Sequence, residues 1–135
     1  MTWFIWSPSY NTGIKSIDRQ HMQLVEMVNR LYEAMHGGEG RHILKTTLDE
    51  LLAYTKSHFA DEERVMIMHQ YPDLMIHRQK HRKMTDKVLE LAGQMEQGEI
   101  SSPVQIANFL KAWLEKHIMG TDKLLADFLK EKGVD

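Results

Sequence analysis

The chain of 135 residues has no cysteine. Disulfides, thiolate metal sites and a cysteine nucleophile are therefore excluded, and any bound metal must use nitrogen and oxygen ligands. The absence also fits a reducing compartment, so a cytoplasmic location is expected. Strong charge of either sign is missing too. Seventeen Lys and Arg face nineteen Asp and Glu, a net charge of -2, so no global field draws the protein to nucleic acid or to an anionic membrane. Long apolar runs are absent. The opening Met1-Thr2-Trp3-Phe4-Ile5-Trp6 has no basic leader and reaches Ser7-Pro8 at once, so it is read as neither a signal peptide nor a membrane span. Nothing in the chain shows the two-residue alternation of a strand.

What is present is helical period. Residues 1–17 carry Pro8, Asn11 and Gly13 without a period and read as an irregular arm, with Trp3, Phe4 and Trp6 packing over one end of the domain. From about Asp18 to His36, the positions His21, Leu24, Val25, Val28, Leu31, Tyr32 and Met35 fall on one helical face, and Gly37-Gly38-Glu39-Gly40 ends it. A second helix, about Arg41 to Met66, turns Leu44, Leu48, Leu51, Leu52, Thr55, His58, Phe59, Glu62 and Met66 inward. A third follows, with Pro72 in its first turn and an end near Gly98. Its stripe is Leu74, His77, His81, Met84, Val88, Leu91 and Met95. Ser101-Ser102-Pro103 reads as the N-cap and first residue of a fourth helix, whose inner face is Ile106, Phe109, Leu110, Trp113, Leu114, His117, Leu124, Leu125 and Phe128. The fold class expected is all-α: an up-down-up-down four-helix bundle with an irregular N-terminal arm, in a single domain over residues 1–135.

The apolar stripes carry polar groups that packing alone does not want. His21 lies near the start of the first helix, and His58 with Glu62 near the end of the second. His77 with His81 opens the third, and His117 with Asp122 lies toward the end of the fourth. In an up-down bundle these places share one end, so five imidazoles and two carboxylates converge. Buried without partners, they would cost stability, and a metal is the simplest partner. The steps His58 to Glu62 and His77 to His81 are i, i+4 and share a face. The step His117 to Asp122 is five residues, about 140° past a full turn. Asp122 therefore needs a local π-type widening, which Gly120 would ease. Imidazoles with carboxylates suit iron, zinc or manganese, and seven such ligands suit two ions.

By contrast, His36, His42 and His69 fall at loops or helix ends and are read as solvated. In His77-Arg78-Gln79-Lys80-His81-Arg82-Lys83, the histidines face inward and the basic residues fan into solvent, so no nucleic-acid patch is read there.

Ile17-Asp18-Arg19-Gln20-His21, His58-Phe59-Ala60-Asp61-Glu62-Glu63, Tyr71-Pro72 leading to His77 and His81, and Trp113-Leu114 leading to His117-Ile118 and Asp122 resemble the successive motifs of the hemerythrin family, in particular its single-domain bacterial members. The resemblance spans nearly the whole chain and includes all seven ligand positions. It implies two non-haem iron ions bridged by Glu62, Asp122 and an oxo or hydroxo group. His77, His81 and His117 would hold one iron, and His21 and His58 the other. Of twelve octahedral positions eleven are then filled, and the twelfth, on the iron with two histidines, would take O2 reversibly. Leu114, Trp113, Ile118 and Phe59 would wall a dry O2 pocket, with Leu114 closest to the gas. The implied role is oxygen transport, storage or delivery to an oxygen-consuming partner protein. The protein is expected to be a monomer and not an enzyme, apart from weak peroxidase-type activity. The alternatives are a di-iron peroxidase or oxidase, and an O2 or redox sensor module using the same centre.

Overall fold

The computed structural model of the chain describes residues 3–36, 41–97 and 104–134. Four long helical rods stand side by side in the alternating up-and-down order expected of a four-helix bundle, and there is no strand among the described residues. α1 spans Lys15–His36, α2 Arg41–Met68 and α3 Leu74–Glu96. The fourth rod is composite: α4 (Val104–Lys116), a π-helical segment (His117–Thr121) and α5 (Asp122–Glu131). Backbone angles stay right-handed helical at Lys116, Thr121 and Asp122, so the rod continues through the π segment. The Gly37–Gly40 stop, Gly98 and the Ser101–Pro103 start lie outside the described residues, as do the side chains of His36 and His42.

Helix ends explain the differences from expectation. α1 starts before Asp18, because Asp18 works from within the first turn. Its carboxylate accepts from Thr12 N (2.7 Å), Thr12 Oγ1 (2.7 Å) and Gly13 N (3.2 Å). Pro72 lies before α3, in a turn closed by Leu74 N donating to Tyr71 O at 3.3 Å. Proline suits the second position of such a turn. α2 closes in a Schellman motif: Tyr71 N donates to Met66 O (2.9 Å), Gln70 N donates to Ile67 O (3.2 Å), and Gln70 has φ 55°. α5 closes the same way, with Val134 N on Leu129 O, Gly133 N on Lys130 O (both 3.0 Å), and φ 82° at Gly133.

Two apolar clusters form the interior. The larger runs along the bundle through Leu24, Val28, Leu51, Val88, Ile106 and Leu110. The smaller closes one end with Ile14, Ile17, Met66, Tyr71, Leu125, Ala126 and Leu129. The two Schellman turns deliver Tyr71 and Val134 into that end cluster. The N-terminal arm contains a short 3-10 turn, Pro8–Tyr10. It lies along the flank of the bundle, on α1 and α4, rather than over an end. Phe4 is buried and exchanges two hydrogen bonds with the Asn29 amide (2.7 and 2.8 Å). Trp3 stacks on Tyr32 at 4.3 Å, under the ammonium of Lys111.

The inward faces agree with the helical period, with one exception. Leu124 is 61% exposed, while Leu125, Ala126 and Leu129 are buried. The wider π turn re-phases everything after it, so a 3.6-residue period carried through residues 117–121 points Leu124 the wrong way.

Candidate metal centre

On every rod, a polar layer separates the two apolar clusters. α1 contributes His21, α2 His58 and Glu62, α3 His77 and His81, and the fourth rod His117 and Asp122. All seven residues are 4% exposed or less. The π segment completes the layer. Asp122 N donates to His117 O, five residues back, and this brings the Asp122 carboxylate beside His117 Nε2.

The ring nitrogens facing the centre are all Nε2. His21 Nε2 lies 2.8 Å from Asp122 Oδ2, while His77 and His117 Nε2 lie 3.1 and 3.0 Å from Asp122 Oδ1. His58 Nε2 is 3.2 Å from Glu62 Oε2, and His81 Nε2 is 3.0 Å from Glu62 Oε1. The donor atoms fall into two overlapping groups, each with all atoms within 4.8 Å of one another. One is Glu62, His77, His81, His117 and Asp122; the other is His21, His58, Glu62 and Asp122.

These atoms are close without satisfying one another. His21 Nδ1 and Nε2, Glu62 Oε2, His77 Nδ1 and both Asp122 oxygens are buried and make no aligned hydrogen bond. His81 Nε2 faces His117 Nε2 at 3.2 Å, where two neutral imidazoles with inward lone pairs would repel. Such a layer costs several kcal/mol per buried charge unless a cation sits among the lone pairs. The electrostatics agree. Burial alone would raise Glu62, but the imidazoles of His58, His117 and His21 outweigh it and hold its carboxyl well below the usual range. Burial and Glu62 push Asp122 up, yet His117 and His21 hold it low. Burial lowers His21 and His77, but the two carboxylates reverse this and raise both to about 9. His117 is raised by the same balance. Two ionised carboxylates among five basic nitrogens form a donor set that fits iron.

The Hemerythrin HHE cation binding domain family matches residues 12–129. The chain belongs to the hemerythrin family. It is 35% identical over 130 residues to the bacteriohemerythrin of Stenotrophomonas maltophilia, covering 96% of this chain and 84% of the relative. Against the bacteriohemerythrin of Methylococcus capsulatus it is 32% identical over 124 residues, 92% of each chain. Crystal structures of hemerythrin variants with one leucine replaced by alanine or tyrosine superpose with a TM-score of 0.87 at 28% identity. The match covers 96% of this chain and 98% of theirs.

Within this hemerythrin bundle, the sequence reading missed the groups that hold two of the histidines from outside. His58 Nδ1 meets Gln20 Oε1 at 2.5 Å, and Gln20 Nε2 donates to Asp61 Oδ2 at 3.1 Å. His81 Nδ1 meets Glu63 Oε2 at 3.1 Å, and Arg78 Nε donates to Glu63 Oε1 at 2.9 Å. With the outer nitrogen protonated, Nε2 is left bare for a metal. The only hint in the sequence was adjacency: Gln20 precedes His21, and Glu63 follows Glu62.

Aromatic rings cover two of these imidazoles. Phe59 stacks on His81 (3.8 Å, 5°) and Trp113 on His117 (4.2 Å, 16°), with 5.7 Å between the Phe59 and Trp113 rings. Phe59 also reaches His58, at 5.9 Å. Leu114 and Ile118 are buried in the same cluster as Phe59, and Trp113 packs against it. On the other side Tyr71, buried in the end cluster, meets His77 edge-on at 6.4 Å.

Proposed function

We propose that this hemerythrin binds O2 reversibly at a pair of non-haem irons, for transport, storage or delivery of oxygen. The observation that carries the reading is the overlap of the two donor groups. Both contain Glu62 and Asp122, but one adds three imidazoles and the other two. Carboxylates common to both groups fit a bridging role between two irons, and the unequal imidazole count fits one iron with a vacant position. When bound in these two groups, an iron pair would supply the electrons for holding O2.

The remaining work belongs to the chain. Glu62 and Asp122 stay ionised and offset the cationic charge. Gln20 and Glu63 fix the tautomers of His58 and His81. Phe59, Trp113, Leu114 and Ile118 exclude water, whose access would convert reversible binding into oxidation of the metal. No helix among the described residues is long and apolar enough to cross a membrane.

Elemental analysis with visible spectra, reduced and air-exposed, tests the reading. Two irons per chain and a spectral change that reverses under argon are expected. Fewer than about one metal per chain overturns it, and sustained consumption of peroxide with a reductant favours a di-iron peroxidase instead.

A further inference from the structure

The two ligands held from outside are held by unlike chemistry. His58, in the two-imidazole group, leans on the neutral amide oxygen of Gln20. His81, in the three-imidazole group, leans on the carboxylate of Glu63. That carboxylate is itself paired with Arg78, whose Nε donates to the oxygen His81 does not use. A carboxylate accepting a ring N–H shifts the imidazole toward imidazolate and strengthens the opposite nitrogen as a ligand, and an amide does this far less. A guanidinium on the same carboxylate weakens that push.

Orientation alone does not account for the pair. The plane of His81 is already fixed by Phe59, stacked on it at 3.8 Å and 5°. Nor does global stability. The Arg78 and Glu63 side chains are 36% and 24% exposed beside a groove of about 410 Å³, and partly exposed ion pairs contribute roughly 1 kcal/mol or less.

We propose that Glu63 and Arg78 act as an opposed pair of positioning residues that set how strongly His81 donates to its metal, and through it the reduction potential and O2 affinity of the centre. Glu63 pushes electron density toward the metal and favours the oxidised and oxygenated states, while Arg78 restrains that push. The inference rests on the di-iron reading.

The test is anaerobic potentiometry and O2 equilibrium binding on iron-loaded wild type, Glu63→Gln and Arg78→Gln, with iron counted in each. Glu63→Gln is expected to raise the potential and weaken O2 binding, on the order of tenfold. Arg78→Gln is expected to move both the opposite way. A purely structural pair would shift both variants in one direction. A same-sign shift, or none, at wild-type iron content overturns the inference and leaves the di-iron reading standing. A wild type without an iron pair overturns both. Should Glu63→Gln not load iron, Arg78→Gln decides alone, and an unchanged potential overturns the inference.

Discussion

Stripping the metal should invert the pH dependence of stability. In the metal-free fold, His21 and His77 sit against Asp122 and Glu62, and their pKa values rise from 6.5 to about 9. Between those limits the folded protein holds protons that the unfolded chain has lost. Stability is therefore full below about pH 6.5 and falls as pH rises through about 9. Each such proton contributes about 1.4 kcal/mol per pH unit, so the two together give a slope on the order of 3 kcal/mol per pH unit at its steepest. His117, also raised, adds to the same sign. Glu62 and Asp122 are shifted down. Their stabilisation is present above the unfolded carboxyl range near 4 and is lost only on stronger acidification, so they do not act in this window. Iron loading reverses the trend, because a ring nitrogen must lose its proton before it can ligate. Urea unfolding of chelator-treated and iron-loaded protein from pH 6 to 9 should give a falling curve for the first and a rising metal increment for the second. Metal-free stability that is flat or rises across the window would refute the reasoning.

Three substitutions probe other parts of the structure. His77→Ala removes a nitrogen near both carboxylates, and iron per chain should fall; unchanged iron would deny His77 a ligand role. Leu114→Ala, at a position 2% exposed, should cost about 2–5 kcal/mol while keeping iron, and the water it admits should shorten the life of the oxygenated form; an unaltered lifetime would place the O2 wall elsewhere. At Gly120 an added methyl would meet nothing within 4 Å. Gly120→Ala should therefore keep iron and raise stability by up to about 1 kcal/mol, as alanine does in helices; lost iron would mean that the π segment depends on glycine.

The five-residue step from His117 to Asp122 demanded a π turn, and the turn is there. The sequence also credited Gly120 with easing it, but its surroundings are open and impose no need for glycine. The convergence of the seven polar groups was legible because histidine and glutamate are conspicuous on apolar stripes, and because antiparallel helices convert positions along the chain into depth. Leu124 was misread because its phase depends on a turn that breaks the period being used to read it. Gln20, Asp61, Glu63 and Arg78 were illegible for a different reason. They flank the stripes, where polar residues are ordinary, and their pairings cross helices: Gln20 reaches Asp61 41 positions away, and Arg78 reaches Glu63 15 away. Gln70 hid the end of α2, since the left-handed position closing a Schellman motif is usually glycine.

The wide turn before Asp122 also ties the place of that carboxylate to the closure of the bundle. The same change of phase that swings Asp122 inward sends Leu125, Ala126 and Leu129 into the end cluster, and Lys80 clips the turn to α3 through Thr121 Oγ1 at 3.1 Å. Relaxing that turn to ordinary helix would rotate these three residues and the carboxylate together, like a key backing out of a lock. The placing of that carboxylate and a sealed base are thus a single mechanical property of this rod, and a lesion that springs one leaf of the closure should loosen the other.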